Sequence, residues 1–415
     1  MSAKAGEEKQ KIDPDNRRAV PDNRRAVPDN RLAVLERYNK SELDYVLLSI
    51  IVIFYGIGIV MVFSASINEG LKVHDYVYFL KRQVMWAALS LSACLLFIFI
   101  DYSVLEKIKK ILVWGIIILL LLLLFPPLLR LGIIHPSRRW FRIFSMGFQP
   151  SEFAKIVLII YMASILSRKS GRLNDFYRGF LPPFLVISVI SFLVFLEPDF
   201  STAFILFFIS ILMFFISGIR FASIISLFMV SIPALFLMVS GKGYRKERIM
   251  GFINPWSDPT DKGYQIIQSF KAFAFGGLAG AGLGRSVQKM KYLPIPHTDF
   301  IFAIIAEEMG FLGVLGVLFL YLMFAYRGFC IAYSQKDGFE FLLAFGITSL
   351  IVWEAIFNIA VVTGLLPSTG ISLPFLSYGG SSLLANSILA GILINLSRQR
   401  ADTSYQTGKI IWEKR

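Results

Sequence analysis

KYLPIPHTDFIFAIIAEEMG, residues 291–310, opens the apolar run that decides the class of this chain. The run extends from Phe300 to Tyr326, with Glu307 and Glu308 inside it and Asp299 directly in front. A helix of about 20 apolar residues crosses a bilayer core, so this run is long enough to span. Carboxylates at such depth are costly and face a bundle interior or a wet cavity. Glu307 and Glu308 lie about 12 Å beyond Asp299 at the helical rise per residue.

Working outward, nine further runs repeat the pattern: 44–66, 80–100, 111–129, 151–167, 179–196, 200–218, 221–240, 339–362 and 375–396. The composition agrees, at 56% hydrophobic and mean hydropathy +0.64 over 415 residues, which excludes an ordinary soluble domain. Continuous apolar runs without strict alternation select helices over barrel strands. The expected fold is an all-α integral membrane protein with ten transmembrane helices. Its membrane domain covers 43–398, with a large extracytoplasmic loop, 241–299, between helices 7 and 8. Polar tails occupy 1–42 and 399–415. No short apolar region with a small-residue cleavage site precedes the first run, so no cleavable signal peptide is expected. Cys94 and Cys330 fall in or at the end of apolar runs and suggest no disulfide framework.

Charge sets the expected orientation. Arg17, Arg18, Arg24, Arg25 and Arg31 precede the first run, and Lys107, Lys109, Lys110, Arg168, Lys169, Arg172, Arg178, Arg220, Arg327 and Lys336 fall in the even-numbered connections. The positive-inside rule places both termini in the cytoplasm. The long loop 241–299 is exempt by its length. The short segment RLGIIHPSRRWFRIFSMGFQPSEFAK is not, and it keeps Arg130, Arg138, Arg139 and Arg142 on the outer side. Those arginines fit either an anionic ligand or interfacial residues snorkelling to lipid phosphates beside Trp140. The N-terminal tail repeats PDNRRAV at 14–20 and 21–27, followed by PDNRLAV at 28–34. A proline in every copy rules out a continuous coiled coil, and the low apolar content reads as disorder.

Sorted by side, polar elements gather at four outer helix ends. The fourth run begins with QPSEFAK, where Pro150 suits a first helical position and Glu152 the positive helix end, with Lys155 in pairing range. The fifth and sixth runs meet in EPDFST, with Glu197 and Asp199. The eighth begins with HTDFIFA and the tenth with SYGGSS, residues 377–382. Each has a plainer reading: a capping acid with an intrahelical pair, a tight turn, small-residue packing, and an N-cap at Asp299 beside Thr298. Their joint occurrence favours a single outer cavity. No Walker phosphate loop is present. GGLAGAGLGRS, 276–286, lacks the flanking strand of a dinucleotide site, and His74, His135 and His297 form no metal spacing. An outer-face enzyme has no ATP, so synthesis there would use a pre-activated, lipid-linked phosphate donor.

These motifs resemble the SEDS family (shape, elongation, division and sporulation), the group of FtsW, RodA and SpoVE. The resemblance covers about residues 40–400 and rests on SRRWFRIFSMGFQPSEFAK, LEPDFSTA, RIMGFINPWSDPTDKGYQIIQS, GGLAGAGLGRSVQKMKYLPIPHTDFIFAIIAEEMGFLG and NIAVVTGLLPSTGISLPFLSYGGSSL. GLGRSVQK and NPWSDP are more similar to the division and sporulation branch than to the rod-elongation branch. Ile295, Ser201, Ala360 and Ser372 depart from the common pattern.

The resemblance implies a bacterial inner-membrane peptidoglycan glycosyltransferase polymerising lipid II, with its active site facing outward. It implies a class B penicillin-binding protein as transpeptidase partner, other divisome membrane proteins nearby, and no nucleic acid. It places the essential acid on Asp299, as base toward an acceptor hydroxyl. Arg138, Arg139, Arg142 and Lys155 become candidates for the pyrophosphate. Glu152, His297, Ser377, Gly379, Gly380 and Ser381 complete the expected substrate-binding set. A divalent cation, Mg or Mn, could share the pyrophosphate, although no ligand set is legible; no nucleotide is expected. Two other classes stay open: a flippase carrying lipid II across the bilayer, and a non-catalytic scaffold for a crosslinking partner.

Overall fold

A computed structural model describes residues 43–135, 137–143, 146–169, 175–220, 248, 250–261, 263–290, 293 and 296–398. The seventh expected span, both tails with the PDNRRAV repeats, and part of the long loop lie outside these residues. Besides the one-turn helix Pro126–Arg130, ten longer α-helices organise the described residues: α1 Tyr45–Lys72, α2 Tyr78–Phe99, α3 Tyr102–Leu123, α4 Pro150–Arg168, α5 Leu181–Leu196, α6 Phe200–Ile216, α7 Tyr264–Gly276, α8 Ile301–Tyr333, α9 Gly338–Val362 and α10 Gly380–Ser397.

Seven described spans are long and apolar enough to cross a bilayer: α1, α2, α4, α5 with the π turn Phe176–Phe180 before it, α8, α9 and α10. Two expected spans fall short for visible reasons. Helix α3 starts at Tyr102, nine residues ahead of its apolar run, because Asp101 accepts the Ser103 amide at 2.8 Å and caps it. It thereby takes in Glu106, Lys107, Lys109 and Lys110, and it stops at Leu123 just before Pro126 and Pro127. Helix α6 is apolar but only 17 residues long. Helix α7 does not span; it is an amphipathic element inside the long loop.

The class is not purely helical. Phe141–Ile143 (β1) pairs antiparallel with Met146–Phe148 (β2), Phe141 opposite Phe148, and Ile134 bridges to Phe141. Phe141 is buried with Leu123 and Ile134, and this small apolar cluster seats the hairpin beside the end of α3.

Helices α2 and α10 pack closely along their length, α9 packs on α8 and α4, and α1 packs on α8 and α2. One end of the bundle is fastened by polar links between helices. Arg327 of α8 donates to Asp44 Oδ2 at 2.6 and 3.0 Å, and the Asp44 amide donates to Ser397 Oγ at 3.2 Å. Asn395 Nδ2 donates to the carbonyls of Phe97, at 3.1 Å, and Ile100.

At the opposite end α8 is broken. Gly310 sits at φ 65° and ψ −164°, outside helical geometry. The glycine-rich stretch after α7 inserts there. The Ala281 and Gly282 amides donate to the Glu307 and Glu308 carbonyls at 2.9 and 3.0 Å, and the Phe311 amide returns to Gly277 at 2.9 Å. A Cβ on Gly280 would stand 2.2 Å from the Glu308 carbonyl oxygen, so only glycine permits this approach. The broken helix loses its own hydrogen bonds and regains them from the loop, as buried irregular backbone must.

Candidate active site

Glu307 and Glu308 are buried beneath this junction and serve it. Glu307 accepts from Ser286 Oγ, the Val287 amide at 2.8 Å and the Gln288 amide at 3.3 Å. Glu308 accepts from Ser64 Oγ of α1 at 2.6 Å and pairs with Lys289 at 2.7 Å. Both members of that pair are at most 3% exposed. The two acids are the receiving half of a docking contact that fixes the GRSVQK segment against α1 and α8. Sequence reasoning placed them inside the bundle without a role, because their partners lie about 20 residues upstream in a loop without periodicity.

Residues 297–300 form a turn that leads into α8. The helix begins at Ile301 with Phe300 as its cap residue and no side-chain cap bond, so Asp299 is not an N-cap. Asp299 is half-buried, and its carboxylate has no hydrogen-bond donor among the described residues. Burial of its surroundings raises its pKa to about 6. The charges of Arg248 and Arg139 oppose that rise, and Asp199 adds to it.

The neighbours of Asp299 come from separate elements. Asp199 caps α6, accepting the Thr202 amide at 3.4 Å, while its Oδ2 accepts from Gln149 at 3.0 Å and Ser151 at 3.1 Å. The Gln149 amide donates to Ser381 Oγ at 3.1 Å, and Ser381 in turn donates to the Gly147 carbonyl at 3.2 Å. The starts of α4, α6 and α10 are thus tied into one network beside the start of α8. Arg139 Nε donates to the Glu197 carbonyl at 3.2 Å, and its Nη2 reaches the Pro198 carbonyl. Arg248, in the RIMGF motif of the long loop, donates to the Ser368 carbonyl at 3.0 Å.

The other expected site residues divide into three groups. Arg138 and Arg142 are exposed on the hairpin segment, Arg138 with φ 54°. Lys155 is buried and engaged, 2.7 Å from Glu152 and 2.5 Å from Glu354, which puts its ammonium between two acids. His297 and Ser377 lie at the turn, and Gly379, Gly380 and Ser381 follow at the start of α10. The His297 ring lies 4.7 Å from that of Phe79 and 5.4 Å from that of Tyr378, centroid to centroid. Burial holds its pKa down to about 4, against the pull of Glu69, so the ring is neutral. Ser377 is buried, Gly379 is extended at φ 177°, and Gly380 is where α10 meets α2: a Cβ there would lie 2.1 Å from the Trp86 ring.

Sequence reasoning missed Arg248, Glu354 and Asn358 as site residues. Arg248 was legible only as part of a matching motif in a loop, and Glu354 and Asn358 as polar residues within an apolar run. Glu197, seen only as part of a turn, proves fully buried. Neither of its carboxyl oxygens has a hydrogen-bond partner among the described residues. Burial and the nearby Asp199 raise its pKa to about 9, against the pull of Arg139.

Comparison with known proteins follows the same residues. The model of a family described as "Cell cycle protein", FtsW/RodA/SpoVE, matches residues 45–402. A Geobacter sulfurreducens protein named "Probable peptidoglycan glycosyltransferase FtsW" is 41% identical over 88% of this chain and 96% of its own. "Stage V sporulation protein E" of Bacillus subtilis is 39% identical over 87% and 98%. Among solved structures, a chain of "Structural coordination of polymerization and crosslinking by a peptidoglycan synthase complex" superposes with TM-score 0.70 at 27% identity, covering 87% of this chain and 99% of that one. The rod shape determining protein RodA of Thermus thermophilus does so with TM-score 0.63 at 25% identity, covering 87% and 99%.

Proposed function

The chain belongs to the cell cycle protein family of FtsW, RodA and SpoVE, and on that premise we propose that it is a peptidoglycan glycosyltransferase of the bacterial inner membrane. It polymerises lipid II into glycan strands at the outer face during division. The observation that carries the reading is Asp299: half-buried, its carboxylate without a donor among the described residues, and flanked by the charges of Arg139 and Arg248.

Transfer joins the anomeric carbon of a lipid-pyrophosphate sugar to the 4-hydroxyl of an acceptor sugar. The acceptor oxygen forms the new C–O bond and its proton passes to Asp299. The old C–O bond breaks, and its electron pair leaves with the pyrophosphate. A base with pKa about 6 is ionised at neutral pH yet basic enough to assist. The developing charge on the pyrophosphate meets Arg139 and Arg248, already held by backbone carbonyls, so little reorganisation is needed. Helices α4, α6, α8 and α10 all begin at this end and add their positive ends to the field.

Exposed Arg138 and Arg142 sit at the rim, where they would receive substrate phosphates. Lys155, with Glu152 and Glu354, braces α4 against α9 instead of contacting pyrophosphate. His297, Ser377, Gly379, Gly380 and Ser381 support the turn and the helix junctions beneath the substrate. A divalent cation on the substrate pyrophosphate is compatible with this chemistry. Among the described residues no three His, Cys, Asp or Glu side chains stand together as a ligand set, and Asp199 is already engaged by Gln149, Ser151 and Thr202. A class B penicillin-binding protein as partner is supported by the likeness to a chain of a peptidoglycan synthase complex.

The test is purified protein in detergent with lipid II supplied directly, with no bilayer to cross. Glycan strands form if the chain is the polymerase. A flippase or a scaffold yields none.

A further inference from the structure

The turn that presents Asp299 is held in an unusual way. The carbonyl oxygens of three consecutive residues, 297, 298 and 299, each accept a hydrogen bond from a different donor. Tyr378 N donates to His297 at 2.8 Å, Ser377 Oγ to Thr298 at 2.6 Å, and Asn358 Nδ2 to Asp299 at 2.8 Å. Asn358 does more than the other two. Its Nδ2 also donates to the Ile371 carbonyl at 2.7 Å, so one amide ties the acid's own peptide to the segment after α9. The side chain is 1% exposed and Oδ1 has no partner among the described residues.

That segment is itself a hub. Ser368 O accepts from Arg248 at 3.0 Å, the Gly370 amide donates to Ser201 Oγ at 3.2 Å, and the Leu373 amide donates to Ser377 Oγ at 2.8 Å. Gly370 lies under the acid: a Cβ built on it would be 3.8 Å from Asp299 Oδ2. The segment therefore carries the Arg248 cation on one residue and faces the Asp299 carboxylate with another.

We infer that Asn358 is a positioning residue for the transfer reaction, the pin whose two hydrogen bonds hold the Asp299 turn and the 368–373 segment in register, so that acid and cation face one substrate. The inference rests on the glycosyltransferase reading. It requires that loss of the pin act on the chemical step, because a displaced base loses effective molarity while the binding contacts elsewhere survive.

The molecule provides its own control. Asn395 Nδ2 makes the same two-carbonyl clamp, on Phe97 and Ile100, at the far end of the bundle. Purified wild type, Asn358→Ala, Asn358→Leu and Asn395→Ala are compared for lipid II polymerisation, thermal unfolding and the pH dependence of kcat/KM. The Leu variant matches the side chain's shape, loses both donors and adds no charge, so it serves if the Ala variant does not fold. The expected result is a loss of about tenfold or more in kcat for the Asn358 variants, with KM changed by no more than about threefold. Their acidic limb should move, whereas Asn395→Ala should keep the wild-type limb and kcat at a similar loss of stability. Near-wild-type kcat in the Asn358 variants overturns the inference. So does a parallel loss in the Asn358 and Asn395 variants that tracks thermal stability with an unmoved limb. Inactive wild type would instead overturn the glycosyltransferase reading itself.

Discussion

Asp299 and Glu197 are both acids in a poorly solvated environment, and their surroundings assign them opposite states. Asp299 is half-buried, and two arginine charges oppose the effect of burial, so its pKa stops at about 6. The Glu197 carboxyl is fully buried with no hydrogen-bond partner among the described residues, and at about 9 it is neutral at physiological pH. Two predictions belong at this scale. Polymerisation needs the ionised Asp299, so kcat/KM falls as pH drops through about 6, and replacing Arg139 or Arg248 with alanine moves that limb to higher pH. A pH–rate profile flat from 5 to 8 would contradict the assignment. Glu197→Gln keeps a neutral group of the same shape and should preserve expression and activity, while Glu197→Lys, which forces a charge into the same place, should not accumulate as folded protein. Asp299 was legible in the sequence as an acid at the mouth of an apolar run. Arg248 and Asn358 were not, because what brings them to it is the path of the chain after α9 and through the long loop.

The elements with least periodicity did most to shape the site end of the bundle. The stretch 276–290 resembled no regular structure in sequence, yet it completes the broken backbone of α8 and receives both buried glutamates. Gly280→Val and Gly310→Ala both meet backbone oxygens or amides at under 3 Å, and both residues have positive φ. Each substitution should cost about 1–3 kcal/mol or more, read as a lowered thermal midpoint in detergent. The Lys289–Glu308 pair offers a second check. Removing either partner leaves a buried charge uncompensated and should cost about 3–5 kcal/mol, whereas Lys289→Met with Glu308→Leu should cost less than the sum. Additive losses would mean the pair is not coupled. Seven of the ten expected spans were readable because grease of spanning length has few other uses. The boundaries of α3 were not, since an N-cap at Asp101 draws charged residues into the helix and prolines end it early. The β hairpin was missed because its six strand residues sit among arginines that drew attention to charge.

At the scale of the whole molecule, the helix order places residues 137–143, 146–150, 197–200, 297–300 and 368–382 at one end and Asp44, Arg327, Asn395 and Lys336 at the other. The proposed orientation, which rests on charge bias, puts the first end outside. Ser137 and Lys336 are exposed at opposite ends, so Ser137→Cys should react with an impermeant thiol reagent in intact cells and Lys336→Cys only after lysis; the reverse pattern would invert the orientation. The central claim is that one carboxylate at the outer end performs the proton transfer of glycan polymerisation. Its most direct test is polymerisation of lipid II by purified Asp299→Asn, with monodispersity and thermal midpoint matched to wild type. Loss of glycan product in a folded protein is the predicted result. Strands made at the wild-type rate would contradict it.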